Sequence, residues 1–234
     1  MDEISIVITT YNEDQDTLEA TIDSVLSQIG VSVSLFVSSV VDDRNFRFLS
    51  EYPNIVPIFS TKEEHPGYGP QGSFYQLNKA IKEINPPDYF CFFSGNDIML
   101  PNYASMCIDA LKDNGKEVAY TKFVSMKNNR TVRQACLYPY SREAHQLGNV
   151  IPDTAIITKK MMSLLPFRSS QFGNLAFWDF WLRIYETYGD VFHHIPVIGW
   201  KYFLKNTSMH LNREVAWQKQ RAIDQKKMLK FHPL

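Results

Sequence analysis

Two hundred and thirty-four residues suit one mixed α/β domain better than two. At 44% hydrophobic and 21% charged the chain can bury a sizeable core, and a net charge of −1 gives no electrostatic basis for sequence-independent binding of nucleic acid. No apolar run reaches the ~18 residues of a membrane span. Met1-Asp2-Glu3 is no secretory leader, and Cys91, Cys107 and Cys136 make neither a disulfide framework nor a zinc site, so a cytoplasmic protein is expected.

The chain opens on a β-branched apolar run, Ile4 to Ile8, which predicts a strand, followed by the polar loop Thr9-Thr10-Tyr11-Asn12-Glu13. Leu18, Ile22, Val25 and Leu26 then recur at helical spacing and predict a helix over 16–28. A strand over 31–41, a helix over 42–52, a strand over 55–59, a helix over 73–84 and a buried strand over 89–93 follow in turn. This alternation predicts a mainly parallel sheet flanked by helices. The later half is less regular: a helix over 103–112, a strand over 118–126, a strand and loop over 131–145, an apolar helix over 177–188 and a strand over 190–195. A basic helix over 213–230, packed by Val215, Trp217 and Ile223, closes the chain. In an open parallel sheet ligands bind beyond the carboxyl ends of the strands, which singles out Thr9–Glu13, Ser38–Asp43 and Ser94–Asp97.

Gly67, Gly69 and Gly72 match GxGxxG, but Thr61 to Pro66 separate them from the preceding strand and Pro70 interrupts them. A dinucleotide fingerprint needs its glycines directly after the strand, so no NAD site is expected. A loop lining a site and a structural turn both remain open for this segment.

Four segments in order carry a family resemblance. Ile6-Val7-Ile8-Thr9-Thr10-Tyr11-Asn12-Glu13 with Ser24-Val25-Leu26-Ser27-Gln28 resembles the opening of family 2 glycosyltransferases with the GT-A fold. Leu77-Asn78-Lys79-Ala80-Ile81 is similar to that family's helix before the sugar-site strand. Phe92 to Pro101 sits where the family carries its DxD segment, and Trp178-Asp179-Phe180-Trp181-Leu182-Arg183 is similar to the run after its Glu-Asp pair. The resemblance spans about residues 4–208. It implies a single GT-A-like domain: a nucleotide-binding half (1–101), an acceptor half (102–212) and the basic C-terminal helix (213–234). It also implies transfer of a sugar, with inversion, from a nucleotide-sugar donor to a glycan or lipid-linked acceptor in surface glycan or polysaccharide synthesis. Membrane-surface contact through the C-terminal helix would fit such an acceptor.

By this resemblance Thr9, Thr10, Tyr11, Asn12, Glu13, Ser39, Asn96 and Asp97 hold the nucleotide sugar. A divalent metal (Mn²⁺ or Mg²⁺) would sit at Asp97 and Asn96, weakly, because hard cations favour charged oxygen ligands. The family's acidic positions are nearly all replaced here. Ser38-Ser39 stands for its paired aspartates, with Asp43 on a later one; Ser94-Gly95-Asn96 stands for DxD, and Ala176-Phe177 for Glu-Asp. Lys205 falls where the family has a late histidine. Asp179 is then the nearest candidate for the general base, and Asp153 the second. Each residue also has a plainer reading: Asn12 as a helix cap, Asn96-Asp97 as a turn, Asp179 as a partner of Arg183, and His193-His194 as strand-end residues. The cluster of replacements keeps a second function open, a catalytically silent GT-A domain that binds a nucleotide sugar or a partner.

Overall fold

The computed structural model describes residues 1–61, 63–64, 70–85, 87–204 and 215–232. Its first half alternates strand and helix: β1 (Asp2–Thr9), α1 (Gln15–Leu26), β2 (Val31–Val40), α2 (Phe46–Glu51), β3 (Ile55–Ser60), α3 (Pro70–Glu83) and β4 (Tyr89–Ser94). The second half adds β5 (Ile98–Met99), α4 (Tyr103–Asn114), β6 (Val118–Lys127), β7 (Arg130–Ala135), α5 (Arg142–Leu147) and β8 (Ile156–Thr158). After a 3-10 segment over 159–164 come α6 (Ser169–Phe172), α7 (Ala176–Tyr188), β9 (Phe192–Phe203) and α8 (Val215–Lys230). The strands form one sheet in the order β3-β2-β1-β4-β8-β6-β9-β5, with β7 paired to β6. β1 to β4 are parallel, as expected, whereas β8 runs antiparallel to both β4 and β6.

Side-chain alternation along β1 explains the layering. Ile4, Ile6 and Ile8 point to one face, where Leu18, Ile22 and Val25 of α1 and Tyr103, Ala104 and Ile108 of α4 cover them. Val7 points to the other face, which is packed by Phe74, Leu77 and Ala80 of α3 and by Phe177, Phe180 and Trp181 of α7. Helices on both faces are what a parallel sheet requires, because both of its faces are apolar.

Several expectations shift. α2 starts at Phe46, not at residue 42, because residues 40–46 fold into a turn in which Asp43 N–H donates to Val40 O (3.0 Å) and Phe46 N–H to Asp43 O (2.9 Å). β9 runs on to Phe203, past Pro196. Proline has no N–H to give a ladder, but here it falls in a bulge: Thr121 pairs with Ile195 and Lys122 with Ile198. His193 and His194 therefore lie inside this strand, not at its end. The 131–145 stretch contains the helix α5 as well as a strand. In α8, Met228 is the buried anchor, against Phe172, Leu175, Trp178 and Leu182, while Ile223 is exposed. The side chains of Val215 and Trp217, together with Gly67, Gly69 and Lys205, lie outside the described residues; Gly72 sits in the first turns of α3.

Candidate functional site

The parallel register brings the ends of three strands together. Thr9 pairs with Ser38 on one side and Ser94 on the other. Thr10 N–H donates to Ser38 O (3.1 Å) and Gly95 N–H to Thr9 O (3.0 Å). Gly95 is required there: a Cβ at that position would lie 2.8 Å from Thr10 Cβ. The loops after β1 and β2 are joined by the carboxylate of Asp43, the residue that stands on a later aspartate of the family pattern. Asp43, buried, accepts from Asn12 N–H (2.9 Å) and Ser39 Oγ (2.6 Å) at Oδ2, and from Asn45 N–H (2.8 Å) at Oδ1. Asn12 adopts a left-handed backbone (φ 51°), and its Oδ1 accepts from Arg44 N–H (2.9 Å). Glu13 O accepts from Arg44 Nε (2.7 Å) and Asn45 Nδ2 (2.9 Å). Asn12 thus links the two loops and is not the cap of α1, whose N-cap is Asp14, and its side chain remains exposed. Ser39 is wholly buried and turned toward Asp43, so it shapes the loop from behind.

The Ser94–Asp97 loop is similarly occupied. Ser94 Oγ donates to Asn96 Oδ1 (2.8 Å), Asn96 Nδ2 donates to Phe203 O (3.5 Å), and Phe203 N–H donates to Asp97 Oδ1 (3.0 Å). Asn96 and Asp97 therefore clamp the end of β9. These residues make a poor site for a divalent cation by themselves, with one carboxylate, Asp97, and one neutral amide oxygen, Asn96 Oδ1. Among the described residues no group of three or more His, Cys, Asp or Glu could hold a metal ion.

Beside these loops lies a cavity of about 810 Å³, lined by Thr9, Ser94 and Asp97 at one part and by Asp153 at another. Its walls are strongly aromatic, with Phe92, Phe177, Trp178 and Trp200 prominent. Phe177, at the position expected to be acidic, packs against Phe74, Phe92 and Phe167 at ring-centroid distances of 5.2, 5.7 and 4.6 Å. Asp153 keeps accessible surface inside the cavity, yet the surrounding protein disfavours its charged form and pushes its pKa up to about 7. Burial, and then the charge of Asp153, push the nearby Cys136 thiol up to about 12, with Arg133 acting in the opposite sense. Arg133 and Arg221 are the cationic side chains of this lining.

His145 supports the same wall from behind. Its Nδ1 accepts from Val150 N–H (3.2 Å), its carbonyl accepts from Trp178 Nε1 (2.7 Å), and both Val150 and Trp178 line the cavity. Burial, then the charge of Arg142, push its pKa down to about 3, which keeps the ring neutral.

The first candidate base is elsewhere. Asp179 has no exposed surface and does not line the cavity. Arg168 grips it through Nε (3.0 Å) and Nη2, Arg183 Nε reaches it at 3.0 Å, and His232 Nε2 lies at 2.9 Å. Burial alone would raise its pKa, but the bonds from His232 and Arg168 and the charge of Arg183 hold it below the usual carboxylate range. The two-residue displacement along α7 has turned this side chain to the face that holds the C-terminal tail. The pairing with Arg183 was visible as an i,i+4 spacing; Arg168 and His232, 11 and 53 residues away, were not.

The model for glycosyl transferase family 2 matches residues 5–162, and the chain belongs to that family. The crystal structure of S. aureus TarS 1–349 in complex with UDP aligns with a TM-score of 0.67, at 14% identity, over 100% of this chain and 67% of that one. Another crystal structure of TarS 1–349 gives 0.64 at 15% identity, covering 87% of this chain and 60% of the relative. Glucosyl-3-phosphoglycerate synthase from Mycobacterium tuberculosis, with Mn²⁺, UDP and phosphoglyceric acid, gives 0.64 at 15% identity over 97% of this chain and 78% of that one. These likenesses establish the GT-A fold. The chain spans less than two thirds of TarS 1–349 in that second alignment. No curated protein matches in sequence.

Proposed function

We propose that this chain transfers a sugar, with inversion, from a nucleotide-sugar donor to an acceptor hydroxyl, with Asp153 as general base. One observation carries the reading: a single cavity joins the strand-end loops at Thr9, Ser94 and Asp97 to a carboxyl group whose pKa is raised to about 7. A base poised near the working pH combines a useful ionised fraction with real proton affinity. The acceptor oxygen attacks the anomeric carbon as Asp153 takes its proton. The bond to the diphosphate then breaks, and the nucleoside diphosphate leaves with the electron pair. Thr9–Glu13, shaped from behind by Asp43 and Ser39, would form the nucleotide end. Arg133 and Arg221 would offset charge on the departing diphosphate.

The crystal structures with UDP and UDP-GlcNAc bound to TarS make uridine donors the first to try. By the division of the chain, 1–101 would bind the donor and 102–212 the acceptor, with a glycan or lipid-linked product destined for a surface polysaccharide. Membrane contact through α8 is not part of the proposal, because Met228 and Leu229 are packed against protein. Among the described residues no helix is long and apolar enough to cross a membrane. The second reading, a silent GT-A domain, is favoured by the occupied Asn96-Asp97 clamp. Release of UDP from UDP-glucose and UDP-GlcNAc, measured for the parent and for Asp153→Asn, separates the two. Turnover in the parent that falls with Asp153→Asn supports catalysis, whereas UDP binding without turnover on any donor and acceptor establishes the silent domain.

A further inference from the structure

The segment between β7 and α5 has an unusual build. Cys136 is held in the left-handed region (φ 54°), a conformation that costs energy in a residue with a Cβ and that tends to persist where surrounding structure over-determines it. Three contacts do so here. His194 Nε2 donates to Cys136 O (2.8 Å), and Tyr120 Oη donates to Tyr138 O (3.2 Å). The Tyr140 ring then stacks on Phe192 at 4.2 Å. His194 and Tyr120 themselves pack together, with centroids 5.1 Å apart. The backbone of 136–140 is therefore fixed from β6 and β9.

What this scaffold presents is an aromatic ring with little protein cover. Tyr138 is 77% exposed while lining the cavity that holds Asp153. The fixed backbone thus holds an aromatic face open at the cavity, where a ligand with an apolar face can cover it. The same lining has room: Gly148 has no atom within 4 Å of where a Cβ would be. Asn149 and Gln134 add polar groups to the same lining. A ring with an apolar C–H face and a hydroxyl edge suits this combination, because the face can cover the aromatic while the edge hydrogen-bonds.

We propose that Tyr138 is the platform on which a pyranose ring of the acceptor packs, so that the acceptor is a carbohydrate and one of its hydroxyls is directed toward Asp153. This inference rests on the glycosyl-transfer reading. Two other acceptor chemistries are outcomes of the test: a small phosphorylated molecule, which would pair with Arg133 or Arg221 of the same lining, and a lipid chain, which would leave the lining's polar groups unpaired.

Saturation-transfer NMR on the full chain tests the platform without requiring turnover. The probes are methyl β-glucoside, methyl β-galactoside, methyl N-acetyl-β-glucosaminide, octyl β-glucoside and glycerol 3-phosphate, with UDP affinity measured by calorimetry for each variant. Ring C–H protons of at least one methyl glycoside should receive saturation in the parent. Tyr138→Ala should weaken that binding about tenfold, and Tyr138→Phe should keep it, since the ring and not the hydroxyl makes the contact. UDP affinity should stay unchanged in both variants. Binding of glycerol 3-phosphate without any glycoside, saturation of the octyl chain alone, or glycoside binding indifferent to Tyr138→Ala would each overturn the platform. Loss of UDP binding in the parent itself would instead overturn the glycosyl-transfer reading, and the glycoside arm would still decide the role of Tyr138.

Discussion

As the proposed base, Asp153 would make opposite demands on stability and activity. Its folded pKa of about 7 exceeds the ordinary carboxylate value, so the folded state holds a proton that the unfolded state has released between about pH 4 and 7. Stability from this residue is therefore present at low pH and is lost as pH rises through 7. His145 acts the other way. With its pKa pushed down to about 3 it stays neutral in the fold but charges in the unfolded chain, so stability is lost as pH falls below about 6.5. The two slopes oppose each other in the parent, and the contribution of Asp153 appears only as a difference. Asp153→Asn should raise the melting temperature relative to the parent at pH 8 and change it little at pH 4. The same variant should lower kcat by about 10²–10⁴, and the parent rate should rise with pH around an apparent pKa near 7. Equal melting differences at both pH values would contradict the raised pKa, and unchanged kcat would remove Asp153 from the base role. The sequence offered Asp153 only as a candidate next to Ile151-Pro152. Its place on the cavity wall is set by residues distant in sequence and could not be read from neighbours in the chain.

Between elements, two contacts are tight enough to predict. β9 crosses α4 at Gly199, where a Cβ would come within 2.4 Å of both Thr121 Oγ1 and Tyr103 Cδ2. Tyr103 is fully buried and donates through its hydroxyl to Thr154 O (2.6 Å), so it cannot swing aside without losing that bond. Gly199→Ala should destabilise the fold by roughly 1–3 kcal/mol or more, visible as a lower urea midpoint. A midpoint equal to the parent's would show that the crossing can relax. The second contact is the tail. His232 lies between Asp179 (2.9 Å) and Glu186 (2.8 Å), and its carbonyl accepts from Gln146 Nε2 (2.9 Å). It is thus the pin that ties the end of α8 to α5 and α7. Asp179→Ala leaves Arg183 and His232 without their buried partner and should cost about 3–5 kcal/mol. His232→Ala should speed amide exchange in α8 more than in β1 or β4, and uniform exchange across all three would rule out a local latch. Strand–helix alternation was legible because apolar spacing is local. β8 was not, since Ile156-Ile157-Thr158 is too short to show a period and exists only because β4 and β6 leave a gap of one strand between them. β9 was cut short by Pro196, whose bulge is set by its pairing with β6.

At the scale of the whole molecule, the question is how a GT-A domain neutralises a diphosphate when its acidic metal position is spent on holding a strand. Asp97 Oδ1 takes the N–H of Phe203 and Asn96 Oδ1 takes the Ser94 hydroxyl, so a cation would have to compete with these bonds for the oxygens of the loop. Such a site has a low affinity for free metal, because one partly engaged carboxylate cannot meet the six or more oxygen ligands that these hard ions prefer. Arg133 and Arg221 sit in the cavity wall with charge already in place. Nucleotide binding should therefore depend less on metal than on ionic strength. In a melting experiment, UDP at about 100 times its Kd should stabilise the parent by roughly 2.7 kcal/mol, with EDTA present or absent. Arg133→Gln with Arg221→Gln should reduce that stabilisation, and added salt should mimic the double substitution by screening the accessible charges. Calorimetric titration of Mn²⁺ into the ligand-free protein should show no tight site. A micromolar site for the free ion, or a nucleotide shift that vanishes with EDTA, would mean that the Asn96-Asp97 clamp opens when the metal binds and that β9 is held less firmly than its hydrogen bonds imply.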